Sequence, residues 1–163
     1  MESMKEYIPA DELTYGFDHG INCAMYVFGT LAPEIGFDTA QARRIAALIG
    51  GGMGRSATCG CVTGAYMALG YKFANDQLGD VGRLNRAKEI RQEFNQHFIQ
   101  KFGSLDCQGM LGGLRNCEPV DLAEIQKQDL YRTTCTQAIN FACTVVDELI
   151  CKYSKSESLE NRT

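Results

Sequence analysis

Two cysteines with one glycine between them, Cys59 and Cys61, follow a run in which four of six residues, Ile49 to Gly54, are glycine. Thiolates are nucleophiles and soft metal ligands, and bare backbone can bring several N–H donors close to an anionic centre. The pair belongs to a set of eight: Cys23, Cys59, Cys61, Cys107, Cys117, Cys135, Cys143 and Cys151. In a reducing compartment, cysteines this numerous act more often as ligands or redox groups than as structural disulfides, although free Cys also packs as a small hydrophobe. Cys59 has the best-placed chemistry. At the first turn of a helix, free N–H groups and the helix dipole favour its thiolate, and Arg55 adds to that. The N–H groups of the 50–58 loop are then donors to a sulfur-rich centre, a main lever on redox potential. Gly52, Gly54 and Gly60 are the candidate backbone contacts to such a cofactor.

Other chemistries fit the residues poorly. A Walker loop needs Gly where Ile49 stands and Lys where Arg55 stands. Gly52-x-Gly54-x-x-Ala57 loosely matches a dinucleotide fingerprint, which requires a preceding strand and a βαβ unit. Zinc sites call for Cys-x-x-Cys or paired His, and neither pattern occurs. His19 and His97 stand alone and carry no catalytic assignment. No paired carboxylates or Ser-His-Asp arrangement supports a hydrolase. A net charge of −4 argues against a nucleic-acid binder. With no apolar signal core near the N-terminus and no apolar run of about 20 residues, the expectation is a cytoplasmic protein without a membrane span.

The elements that must position these cysteines read as helices. Leu13, Phe17, Ile21, Ala24, Phe28 and Leu31 recur at steps of three and four, predicting one helix over 11–31 with Asp11 as cap and Cys23 at the edge of its apolar face. A shorter helix is expected over 39–48, capped by Asp38 or Thr39 and stopped by the glycines. A third should run from Cys59 or Gly60 to Phe73. A fourth, about 81–102, places Leu84, Ala87, Ile90, Phe94, Phe98 and Phe102 on one side. A short helix near 120–130 precedes a long one over about 133–153. On that last helix, at about 100° per residue, Cys143 falls some 80° from Cys135 and Cys151 about 160° away. Cys135 then points inward, Cys143 flanks and Cys151 faces out. The tail, 154–163, is polar and expected to be disordered. The fold class is all-α: a single domain over residues 1–163, a bundle of about four longer helices plus short ones.

Several of these stretches together resemble a known family. Asn22-Cys23, the run Gly50-Gly51-Gly52-Met53-Gly54, Cys59-Gly60-Cys61-Val62-Thr63-Gly64, Cys107 in "KFGSLDCQGMLG" and Cys135 in "YRTTCTQAINFA" are similar to the signature of the C_GCAxxG_C_C family of redox-active proteins. The resemblance covers about residues 11–150. It implies a helical domain and a redox role. The pattern is also similar to the helical domain of split-Soret cytochromes, which implies a 2Fe–2S cluster, here with Cys23, Cys59, Cys107 and Cys135 as ligands. No Cys-x-x-Cys-His is present, so no c-type haem is attached.

Cys61 takes the place of an Ala in the family motif. In a helix starting at Cys59 it points about 200° away, a poor co-ligand unless the helix begins later. Cys143 competes with Cys135 as the last cysteine, and the arginine before and the spacing after favour Cys135. The leading function is electron transfer through the cluster, with a redox partner protein. The alternative is metal-free thiol-disulfide or redox-sensing chemistry, with Cys59 attacking and Cys61, Cys23 or Cys107 resolving.

Overall fold

A computed structural model describes residues 7–160, with side chains described through residue 156. The chain is all-α. Among the described residues there is no strand, only an isolated antiparallel bridge between Thr58 and Asp106.

The segment 11–31 is two helices, α1 (Ala10–Asp18) and α2 (Cys23–Leu31). The apolar period runs through both, but Gly20 adopts a left-handed φ of 88° and the Ile21 N–H turns back to the Gly16 carbonyl at 2.9 Å. Asn22 then starts α2 afresh, its Oδ1 accepting from the Met25 N–H at 2.9 Å, the bond of an N-cap. Cys23 is therefore the first residue of a helix rather than part of a helix interior. Asp11 is not a cap: α1 begins at Ala10 behind Pro9, and the Asp11 carboxylate pairs with Arg132 at 2.5 Å.

Helix α3 (Thr39–Ala46) is capped by Asp38, which accepts from the Gln41 N–H at 2.8 Å. Helices α4 (Gly60–Phe73) and α5 (Val81–Phe102) follow the predicted spans. Short helices α6 (Cys107–Met110) and α7 (Pro119–Lys127) lead to a widened turn, Tyr131–Cys135, and the long α8 (Thr136–Glu160). Helix α8 extends to Glu160, well into the segment expected as tail; residues 161–163 lie outside the described residues.

The close pairing of α2 with α4 is the centre of the bundle, and α8 packs on both as well as on α5. Small residues explain that pairing. Gly60, Gly64 and Ala68 recur every fourth residue on one face of α4. A methyl on Gly64 would lie 3.0 Å from the Val27 Cβ and 3.1 Å from the Ala24 carbonyl oxygen, so no side chain larger than hydrogen fits without displacing α2. Beyond this seam the core is apolar: Val27, Val62, Phe73, Ile90, Phe94, Phe98, Ile139 and Val146 are fully buried. Each such side chain contributes roughly 1.5–3 kcal/mol relative to exposure. No helix among the described residues is long and apolar enough to cross a membrane.

Candidate functional site

Three helix beginnings meet at one point in the fold. Cys23 is the first residue of α2, and Cys107 the first of α6. Cys59 is the cap residue of α4, with an extended ψ of 138°, and Cys61 lies in that helix's first turn. The Cys59 and Cys107 segments are tied side by side at the isolated bridge: the Cys59 N–H donates to the Leu105 carbonyl and the Cys107 N–H to the Ala57 carbonyl, both at 2.8 Å. The turn before α8 adds Cys135. These five cysteines line a single cavity of about 310 Å³, together with Gly51, Asn116 and an apolar wall that includes Phe17, Ile21, Met110, Leu111 and Tyr131.

The thiols influence one another's ionisation: that of Cys23 is tied to those of Cys59 and Cys61, and that of Cys59 to Cys107 as well. Cys135 interacts with Cys23 and Cys107 electrostatically. Charge settles on Cys23. The Cys59 and Cys61 thiols donate to it, the Gly51 and Ala24 N–H groups add backbone donors, and together they hold its pKa well below the ordinary thiol value against the effect of burial. The thiol of Cys59 is pushed up, first by its bond with Cys107 and then by those with Cys23 and Cys61. Burial, then the bond with Cys23, raises Cys61; burial raises Cys135 as well. The lowered thiol pKa anticipated at Cys59 thus falls to Cys23 instead. Arg55 is exposed, and thiols rather than this guanidinium dominate the surroundings of Cys59.

The glycine loop reaches the site through Gly51, whose N–H bonds the Cys23 sulfur. Gly52 and Gly54 are not among the cavity's lining residues. Gly52 closes the loop: the Ala57 N–H donates to its carbonyl at 3.2 Å, and a Cβ on it would lie 2.3 Å from the Ala57 nitrogen. The same loop holds two side-chain-bearing residues, Met53 and Ser56, at left-handed φ values of 57° and 58°. Such conformations cost on the order of 1–3 kcal/mol each and persist where surrounding structure over-determines them. For Ser56 that support is visible: it is buried, and its Oγ donates to Asn116 Oδ1 at 2.5 Å. Gly60 touches the site directly, because a Cβ there would sit 2.3 Å from the Cys23 sulfur.

The remaining candidates lie elsewhere. Cys143 is fully buried in the core, more so than Cys135, reversing the order expected from helical phase. The widened Tyr131–Cys135 turn explains this, because its extra residue breaks the 100° step between Cys135 and α8. Cys117 and Cys151 are exposed. His19 stacks on Tyr15 at the surface and His97 lies 4.0 Å from Glu93. Sequence reasoning missed Asn116 and Tyr131 as cavity residues, and set Cys61 aside unless the helix begins after Cys59, which is where the structure starts it.

Among the described residues, no three His, Cys, Asp or Glu side chains are arranged to hold a single metal ion. The donor set is nevertheless all sulfur and gathered around one cavity, the chemistry that suits a soft, polynuclear centre rather than a hard cation. A family model described as "Putative redox-active protein (C_GCAxxG_C_C)" matches residues 21–149, most of the chain, and the chain belongs to that family. No curated protein and no solved structure matches it.

Proposed function

We propose that this member of the family is an electron-transfer protein of the cytoplasm that holds a 2Fe–2S cluster through Cys23, Cys59, Cys107 and Cys135 and exchanges electrons with a redox partner protein. One observation carries the reading: the four cysteines of the family motif, from three helix starts and a turn far apart in sequence, line one cavity. When bound, the cluster supplies a one-electron couple. The residues around it have separable tasks. The four thiolates bind iron. The Gly51 and Ala24 N–H groups draw charge from the Cys23 sulfur, which favours the reduced state of whatever that sulfur ligates. Phe17, Ile21, Met110 and Leu111 keep water from the sulfurs. The bridge between Thr58 and Asp106 fixes the spacing of two ligands before any metal arrives.

A second reading, metal-free dithiol–disulfide exchange, is favoured by the gathering of Cys23, Cys59 and Cys61 at one cavity. Two thiols in contact become a disulfide by passing two electrons and two protons to a partner disulfide. In this scheme the lowered pKa of Cys23 supports it, rather than Cys59, as the attacking thiol.

Iron and acid-labile sulfide, measured on protein purified and reconstituted without oxygen, separate the two. Two of each per chain, with visible absorbance bleached by dithionite and lost in Cys23→Ala and Cys107→Ala, support the cluster. Colourless wild-type protein after reconstitution rejects it and leaves the dithiol scheme.

A further inference from the structure

Cys61 is the fifth thiol in a site whose proposed cofactor needs four. A buried cysteine usually packs as a small hydrophobe among carbon atoms. Cys61 does not: although fully buried, it lines the cavity beside Cys23 and Cys59. The local backbone explains how. Helix α4 begins at Gly60, so Cys59 is extended and the 200° separation of a regular helix does not apply between Cys59 and Cys61. Gly60, lacking a side chain, lets the Cys23 sulfur come against its Cα. Cys23 thus lies against the Cys59-Gly60-Cys61 tripeptide at Gly60, and all three cysteines line the cavity.

Resting on the cluster reading above, we propose that Cys61 is an alternate ligand, able to replace Cys59 while Cys23, Cys107 and Cys135 stay bound. The exchange swaps one thiolate for another. Cys61 gives its proton to the departing Cys59 sulfur, and charge and electron count at the site are unchanged. Of the four positions, Cys59 is the one Cys61 can relieve. The two share one helix start and one neighbour, Cys23, so no other element has to move. Cys107 sits on a different segment, pinned through its N–H to Ala57.

The test uses the full chain as wild type, Cys59→Ala, Cys61→Ala, the double Cys59→Ala/Cys61→Ala and Cys107→Ala, each first shown to be helical by circular dichroism. Each is reconstituted anaerobically with ferrous iron and sulfide, then alkylated and mapped by mass spectrometry. Wild type and Cys61→Ala should load fully with Cys59 protected. Cys59→Ala should also load, with Cys61 now protected, while the double variant and Cys107→Ala lose the cluster. A loaded wild type beside an empty Cys59→Ala overturns the alternate-ligand proposal and leaves the cluster reading standing. If wild type takes no cluster, that reading falls, and cadmium ion alone becomes the probe on the same variants. Protection of Cys61 by cadmium in Cys59→Ala then supports the exchange of donors, and its free alkylation overturns it.

Discussion

Gly60→Ala and Gly70→Ala place the same methyl on the same helix and should move stability in opposite directions. A Cβ at Gly60 would lie 2.3 Å from the Cys23 sulfur and 2.9 Å from the Ala24 amide nitrogen, where ordinary contact begins at 3.4 Å. The sulfur must then retreat by 3.4 − 2.3 = 1.1 Å and the backbone of α2 by 3.4 − 2.9 = 0.5 Å. Forcing extra volume into a packed seam costs about 1–3 kcal/mol, and alanine's better helix propensity returns at most about 1 kcal/mol. A net loss of up to about 2 kcal/mol remains. For a chain of this size that lowers Tm by up to roughly 8 °C. Gly70 is in the last turn of α4, with nothing within 4 Å of its virtual Cβ, so only the propensity gain of about 0.5–1 kcal/mol operates. Its variant should melt roughly 1–4 °C higher than wild type. Thermal unfolding of metal-free, reduced protein is the assay, paired with the alkylation rate of Cys23. Displacing α2 from α4 should speed that rate in Gly60→Ala and leave it unchanged in Gly70→Ala. If Gly60→Ala is as stable as Gly70→Ala, the glycine is not there to admit the Cys23 sulfur and the packing argument fails.

Two further outcomes follow from groups near or beneath the site. Asn116→Ala removes the nearer acceptor of the buried Ser56 hydroxyl and leaves it only the Cys117 sulfur at 3.7 Å, which should cost about 1 kcal/mol and lower the urea midpoint; an unchanged midpoint means the 50–58 loop is held by something else. Burial, and then the Asp147 charge, push Cys143 up to about 12 from 9.0, so the folded state favours its neutral thiol. The associated stability is complete below pH 9 and is lost as pH rises toward 12, at most about 4 kcal/mol for a shift of that size. Urea titrations from pH 8 to 11 should show wild type losing stability faster than Cys143→Ala. Parallel curves for the two proteins would show that Cys143 does not govern the alkaline loss.

Helices α4 and α5 were legible in the sequence because each carries one uninterrupted apolar period, and for α5 the residues Ile90, Phe94 and Phe98 on that face are the ones found fully buried. The cysteines of the site were legible through their motifs. What failed was phase. The period of 11–31 ran unbroken across a chain reversal at Gly20, since Leu13 and Ala24 are both core residues although they sit on separate helices. Asn22 carries the sign of the break: an Asn before an apolar run is a cap signal, and it caps α2. Cys61 and Cys135 were misplaced for the same reason. Helical phase was counted through a cap in one case and a widened turn in the other, and in neither does 100° per residue hold.

The opening glycines then have a more specific purpose than loop flexibility. Apart from two thiols, the groups that set the charge on the Cys23 sulfur are backbone: the Gly51 and Ala24 N–H groups donate to it, and the Gly60 Cα presses against it. A side chain at Gly60 would occupy the space that Cys23 fills. A backbone donor such as Gly51 holds its position without the rotamer entropy that a lysine or arginine would lose on being fixed at the same point. Arg55, the only cation within the loop, is exposed instead. The site therefore meets negative charge with fixed dipoles rather than with a counter-ion.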